Sequence, residues 1–327
     1  MFLRSKLLAA IALSLTLGCL PAKAQDYPNR PITIIVPYTA GGGADVVARI
    51  TADGLERELK QRVIIENVTG AGGTTGIRRA ANAAPDGYTM MTVSPGTHSA
   101  APALYKDLGY DPIKSFEMVG LTATQPLVLI VRKELPVNNL KEFVAYLKAH
   151  EKTVTLAHVG PGSMTHLGCT MFDALVGVNP TAAPYRGTPP LMQDLLGGRV
   201  DYTCQQPNGV IGFVQKGEVK ALAVAGDKRM PSLPNVPTSD EAGMPDFKSS
   251  AWNALAMPKG VPDAIVNKVN AALNKALNDP DVIKRFATLD LSVPPPEERT
   301  REFQRKFMQS ELDRYVDLMR KAGVEPQ

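Results

Sequence analysis

Apolar residues in this chain alternate between two spacings. The run Ile32-Thr33-Ile34-Ile35-Val36 is short and β-branched, as a buried strand is. A glycine loop, Ala40-Gly41-Gly42-Gly43, follows it. Val46, Val47, Ile50, Leu55 and Leu59 then recur at helical intervals. The unit repeats with strand Val63-Ile64-Ile65, loop Gly70-Ala71-Gly72-Gly73 and a helix opening at Ile77. A third copy runs from Tyr88-Thr89-Met90-Met91-Thr92-Val93 into Ser94-Pro95-Gly96-Thr97-His98. Strand, loop and helix in succession predict an α/β fold, a parallel sheet with helices on its faces.

The next long apolar stretch, from Gln125 to Val131, starts a second set of α/β units. Strands are expected near residues 153–157, 181–183, 201–204 and 221–225. Residues 230–247 are rich in proline and polar side chains and predict an irregular connection. Residues 254–257 are strand-like again. Two amphipathic helices follow, one carrying Ile265, Val269, Leu273 and Leu277, the other Phe303, Phe307, Tyr315 and Leu318.

Residues 1–24 have a different pattern. Arg4 and Lys6 precede an apolar run from Leu7 to Leu20, and Ala22-Lys23-Ala24 puts small residues where a signal peptidase reads. The run is too short and wrongly flanked to stay in a membrane. Cleavage after Ala24 is expected, which exports the protein. The alternative is a cut before Cys19 to give a lipoprotein, for which Thr16-Leu17-Gly18 is a poor signal. No later stretch is apolar for long enough to cross a bilayer. The remaining 303 residues suit two lobes better than one core.

Charge adds an exclusion. Arg4, Lys6 and Lys23 leave with the leader, which lowers the basic count from 36 to 33 against 32 acidic residues. No basic run is interleaved with aromatics, so nucleic acid is not an expected partner. Cys169 and Cys204 remain after cleavage. An oxidising compartment permits a bridge between them, and two buried thiols are the other reading.

The candidate chemistry lies in the loops. Ligands of open α/β sheets bind beyond the carboxyl ends of the strands. Each glycine-rich loop stands at such an end and opens a helix, where unpaired N–H groups and a partial positive charge favour an anion. Taken singly, glycines between strand and helix are ordinary turn chemistry. The third glycine of Gly70-Ala71-Gly72 falls at Gly76, one residue late for a dinucleotide fingerprint, and no G-K-[ST] occurs. In the second half, Gly160-Pro161-Gly162-Ser163-Met164-Thr165-His166 again follows a strand. Ser163 could cap the helix, bind a ligand, or act with His166 as a hydrolase nucleophile and base. No G-x-S-x-G elbow supports the last role. The four histidines, His98, His150, His158 and His166, lack metal-ligand spacing, so neither metal nor other cofactor is expected. Arg186, in Pro184-Tyr185-Arg186-Gly187, could pair with a second carboxylate or be a surface arginine in a turn.

Taken in order, these motifs resemble the tripartite tricarboxylate transporter substrate-binding proteins, also called the Bug family. The residues that carry the likeness are Tyr27-Pro28, Pro31-Ile32, Ile35-Val36-Pro37, Ala40-Gly41-Gly42 with Asp45 and Ala48-Arg49, and Gly70 to Gly76. Further on they are Pro85 to Thr89, Thr97 to Tyr105, Gly162 to Leu167, Pro184 to Gly187, and Asp194 to Asp201. The resemblance implies a type II periplasmic binding fold: two lobes, a ligand cleft and two crossover segments. Lobe I would comprise residues 25–124 and 250–327, and lobe II residues 125–249. It also implies closure on the solute like a flytrap, no catalysis, a small carboxylate as ligand, and the membrane permease of a tripartite transporter as partner to a monomeric receptor. A sensor subunit for a membrane signalling protein would share the same sequence features.

By that resemblance, Tyr38, Thr39, Ala40, Gly41, Gly42, Ala71, Gly72, Gly73, Thr97 and His98 would fix one carboxylate, partly through water. Ser163, Thr165, Arg186 and Gln205 would face the other end. One branch of the family has cysteines matching His166-Leu167-Gly168-Cys169 and the first residue of Cys204-Gln205-Gln206, which implies a disulfide. That branch has aspartate where Gln205 stands here. A neutral amide in its place favours a second carboxylate or a polar aromatic acid over an amine.

Overall fold

The computed structural model describes residues 27–321 and Pro326. The leader, its cleavage site and Cys19 lie outside the described residues.

Two five-stranded sheets organise the chain, each with helices on both faces. The first has the order β2-β1-β3-β10-β4, built from β1 (Ile32–Val36), β2 (Val63–Asn67), β3 (Thr89–Val93), β4 (Phe116–Pro126) and β10 (Ser250–Pro258). The second has the order β7-β6-β8-β5-β9, from β5 (Val128–Arg132), β6 (Thr155–His158), β7 (Thr181–Pro184), β8 (Tyr202–Gln205) and β9 (Val219–Val224). The fold is a bilobal α/β fold with one sheet per lobe. Strands β1, β2 and β3 pair in parallel as the repeat predicts. The sheets are nonetheless mixed: β10 runs antiparallel to β3 and β4, and β5 antiparallel to β8 and β9.

The chain passes between lobes twice, and the passages are neighbours. Strand β4 ends at Pro126 opposite Ser250, the first residue of β10. The Leu127 N–H then donates to the Ser249 carbonyl at 2.9 Å. The stretch from Gln125 to Val131 is therefore two strands in two sheets, split at Leu127. Pro126 breaks the run, but its neighbours are buried on both sides, so hydrophobicity continues through the break.

Lobe I carries helices α1 (Gly43–Leu59), α2 (Thr74–Ala81), α3 (Ala101–Leu104), α8 (Asp263–Ala276), α9 (Pro280–Ala287) and α10 (Arg301–Lys321). Lobe II carries α4 (Leu140–Ala149), α5 (Met164–Val176), α6 (Thr188–Leu196) and α7 (Ile211–Gln215). The core of lobe I stacks Ile32, Ile34 and Val36 of β1 against Val47, Leu55, Val269 and Leu273. That of lobe II packs Leu129 and Val131 against Phe143, Phe172 and Tyr202. Cys169 of α5 is disulfide-bonded to Cys204 of β8, with Cα atoms 5.4 Å apart, an ordinary span for a bridge. No helix among the described residues is long and apolar enough to cross a membrane.

Candidate functional site

Between the lobes lies a cleft of about 1280 Å³. Six loops at strand ends line it. From lobe I come the segments after β1, β2 and β3; from lobe II come those after β6, β7 and β8. Twelve of the residues expected from the sequence line this cleft: Tyr38, Thr39, Ala40, Gly41, Gly42, Ala71, Gly72, Gly73, Ser163, Thr165, Arg186 and Gln205.

The first loop is held from behind. The Asp45 side chain, 1% exposed, accepts the Gly41 N–H at 2.8 Å and the Arg49 Nε at 2.8 Å. Its other oxygen accepts Asn67 Nδ2 at 2.9 Å, and that nitrogen also donates to the Tyr38 carbonyl. Burial alone would raise the Asp45 carboxyl, but Arg49, the Gly41 N–H and Asn67 together hold it below the usual carboxylate range. Gly41 is left-handed, with φ of 78°, a conformation that suits glycine. Helix α1 then starts at Gly43, in the cleft lining, without a side-chain cap for its leading N–H groups.

The second loop is a single 3-10 turn, Ala71–Gly73, leading into α2, again without a side-chain cap. A methyl group on Gly73 would come within 2.8 Å of Thr97 Cγ2. Thr97 is thus packed under this loop rather than into the cleft. The third loop corrects the expectation for both of its residues. Ser94 and Pro95 line the cleft, whereas Thr97 and His98 are buried behind them. The cause is a capping box: Ser94 starts a π-helical turn, Pro95–Ala100, and exchanges hydrogen bonds with Thr97. Thr97 Oγ1 meets His98 Nδ1 at 2.9 Å, and the imidazole sits against Tyr110 and Phe116. Burial pushes the His98 imidazole down to about 3, so it is neutral.

In lobe II, Ser163 caps α5. Its Oγ accepts the His166 N–H at 3.2 Å and donates to the Gly160 carbonyl at 2.7 Å. The His166 ring is occupied elsewhere, its Nδ1 accepting the Gly162 N–H at 3.2 Å. Serine and imidazole therefore serve the loop and do not form a nucleophile–base pair. Burial, with His158 beside it, lowers the His166 imidazole to about 4. Thr165 Oγ1 accepts the Val159 N–H. Gln205 lines the cleft floor, its amide tied to Thr203 and to the Thr188 hydroxyl. The α6 helix opens at Gly187 with no side-chain cap, next to Arg186.

Sequence reasoning missed Gln206 and Asn208, which line the cleft beside Gly43. It also missed Asn253 and an apolar wall of Pro189, Pro190, Met192, Leu196 and Phe213. Arg186 is the one charged side chain among the residues lining the cleft, and no acidic group faces it there. Among the described residues, no group of three or more histidine, cysteine, aspartate or glutamate side chains is placed to hold a metal.

Two α/β lobes joined by paired crossovers around a cleft with an anion-favouring rim define a bilobal solute-binding protein. Comparison with known proteins gives the family. The profile described as tripartite tricarboxylate transporter family receptor matches residues 47–324. Among solved structures, the periplasmic binding protein BugD is 40% identical, with a TM-score of 0.83, over 92% of this chain and 100% of its own. MatC from Rhodopseudomonas palustris, solved with bound malate, is 40% identical with a TM-score of 0.82, over 89% of this chain and 99% of its own. A further R. palustris protein, solved with adipate, is 30% identical with a TM-score of 0.84, over 92% of this chain and 100% of its own. The chain belongs to the tripartite tricarboxylate transporter receptor family, the Bug family, whose members are solute-binding receptors rather than enzymes.

Proposed function

We propose that this receptor captures a small dicarboxylate in the periplasm and delivers it to the permease of a tripartite tricarboxylate transporter. The lining of the cleft carries the reading: uncapped helix starts on lobe I, one cation on lobe II and no facing acid. One carboxylate would sit on the loops of Tyr38 to Gly42 and Ala71 to Gly73. Each N–H bond to a charged oxygen contributes on the order of 1.5–3 kcal/mol. Four or five suffice for micromolar affinity, about −8 kcal/mol, after the costs of association. The second carboxylate would pair with Arg186, with Gln205, Gln206 and Asn208 at hand for polar substituents. The malate and adipate held by two similar proteins support a diacid over a monoacid. In this reading lobe I is residues 25–124 with 250–327, lobe II is residues 125–249, and the chain works as a monomer after losing its leader.

Thermal melting with succinate, malate, adipate, citrate, acetate and benzoate tests it. A ligand at about 100 times its dissociation constant adds about 2.7 kcal/mol of stability. Diacids should raise the melting temperature and acetate should not. A shift with a sugar or an amine, and with no acid, overturns the proposal.

A further inference from the structure

Lobe I has two glycines where lobe II comes against it, and neither needs glycine for its own backbone. Gly43 and Gly96 both lie outside the left-handed region. A methyl group on Gly96 would stand 2.5 Å from the carbonyl oxygen of Gly162 and 3.1 Å from the Tyr38 hydroxyl. One on Gly43 would overlap the side-chain oxygen of Gln206 and lie 3.4 Å from the Asn208 amide nitrogen. Non-bonded carbon atoms settle at about 3.5–4.0 Å, and the nearest contact at each glycine falls well inside that, under 3.0 Å. Both substitutions therefore push the lobes apart or displace what touches them.

The two contacts differ in how far they give. Gln206 presents the free end of a flexible side chain. Gly162 presents backbone in a braced loop. The Gly160 N–H donates to His158 Nδ1 at 3.2 Å, the Gly162 N–H to His166 Nδ1 at 3.2 Å, and the Ser163 hydroxyl to the Gly160 carbonyl at 2.7 Å. Leu104 of lobe I packs on the same glycine: a methyl on Gly162 would stand 2.8 Å from its Cδ1. The Gly162 carbonyl cannot yield without disturbing this loop, which itself lines the cleft at Gly160, Pro161 and Ser163.

The geometry points to Gly96, and secondarily Gly43, as the residues that set how narrow the cleft becomes when the lobes meet. They thereby set the shortest dicarboxylate that both lobes can grip at once. This rests on the dicarboxylate reading above. A Cβ adds a standoff of about one carbon–carbon bond, roughly 1.5 Å. The penalty falls on a four-carbon diacid, which has no length to spare. A six-carbon diacid spans the wider gap.

The test compares the wild-type mature chain with Gly96→Ala, Gly43→Ala and the control Gly212→Ala, a site in α7 with open space around it. Calorimetric titration with malate and adipate should show Gly96→Ala losing about tenfold or more in malate affinity and less for adipate. Gly43→Ala should lose about threefold or less, and Gly212→Ala nothing. Unliganded melting temperatures should all match wild type. Spin labels at Ile64→Cys and Leu175→Cys, exposed positions on opposite lobes, report closure directly. The short distance seen in wild type should be lost or lengthened in Gly96→Ala. Wild-type malate affinity in Gly96→Ala overturns the proposal. So does a melting temperature that falls in the unliganded variant, which would make the contact part of the fold. A short distance unchanged in Gly96→Ala, or absent from wild type with and without every acid, also overturns it. If wild type binds no acid at all, the dicarboxylate reading fails, and the label distances alone decide the role of the glycines.

Discussion

Asp45 accepts the N–H of Gly41 on the same carboxylate oxygen that receives Arg49, each at 2.8 Å. The loop on the cleft side of Gly41 is thus shaped by an acid on the buried side. Asp45→Ala removes three hydrogen bonds at once and leaves Asn67 Nδ2 with the Tyr38 carbonyl as its remaining acceptor. We expect diacid affinity to fall by about ten- to hundredfold, with a stability loss of about 1–3 kcal/mol. Calorimetry and urea unfolding on the same samples check it.

Arg186 stands alone as a charge in the cleft lining. Arg186→Gln keeps polar reach and removes the cation. A charged hydrogen bond is worth about 1.5–3 kcal/mol, so diacids should bind about ten- to hundredfold more weakly. An acid with one carboxylate should be indifferent to the change. Parallel titrations with a diacid and its monoamide separate the two outcomes.

The bridge between Cys169 and Cys204 closes a loop of 35 residues. Chain entropy assigns such a loop about 3–4 kcal/mol. The double variant Cys169→Ala with Cys204→Ala should unfold at correspondingly lower denaturant, and reductant should destabilise wild type but not the variant. Equilibrium unfolding with and without reductant measures both.

Asp173 gives a pH signature. It is buried in lobe II, and burial raises its carboxyl to about 7 despite the hydrogen bond donated by the Tyr202 hydroxyl. A raised acid binds its proton more tightly in the folded state. Its contribution is full below the unfolded value near 3.8 and declines as pH rises to about 7. At most about 4 kcal/mol is at stake. His98 and His166, both lowered, act oppositely: they cost stability as pH falls below about 6.5. The difference between wild type and Asp173→Asn isolates the acid. Its wild-type advantage should shrink steadily from pH 4 to pH 7 and stay level above.

The helix starts around the cleft were legible because each follows a short strand-like stretch and carries glycine or a capping residue at the turn, and those are local demands. Strand β4 was not legible. Its burial is nearly continuous from Phe116 to Ala123, so it lacks alternation, and Gly120 and Thr122 dilute its apolar signal. Thr97 and His98 were misplaced because the capping box with Ser94 turns them inward, which depends on hydroxyl geometry rather than residue type. The pattern Ser94-Pro95-Gly96-Thr97 did contain the box. Gln206 carried no signal at all: what it faces is decided by the other lobe, more than 160 positions away in the chain. Interlobe contacts are written in no single segment.

The paired crossovers have a mechanical consequence. Pro126 sits opposite Ser250, and Leu127 is hydrogen-bonded to Ser249. A gate hung on two adjacent pins swings about the line joining them and resists twisting. In the closure we propose, each swing would bring the same edges together, and the receptor would measure its solute as a caliper does, along one fixed direction.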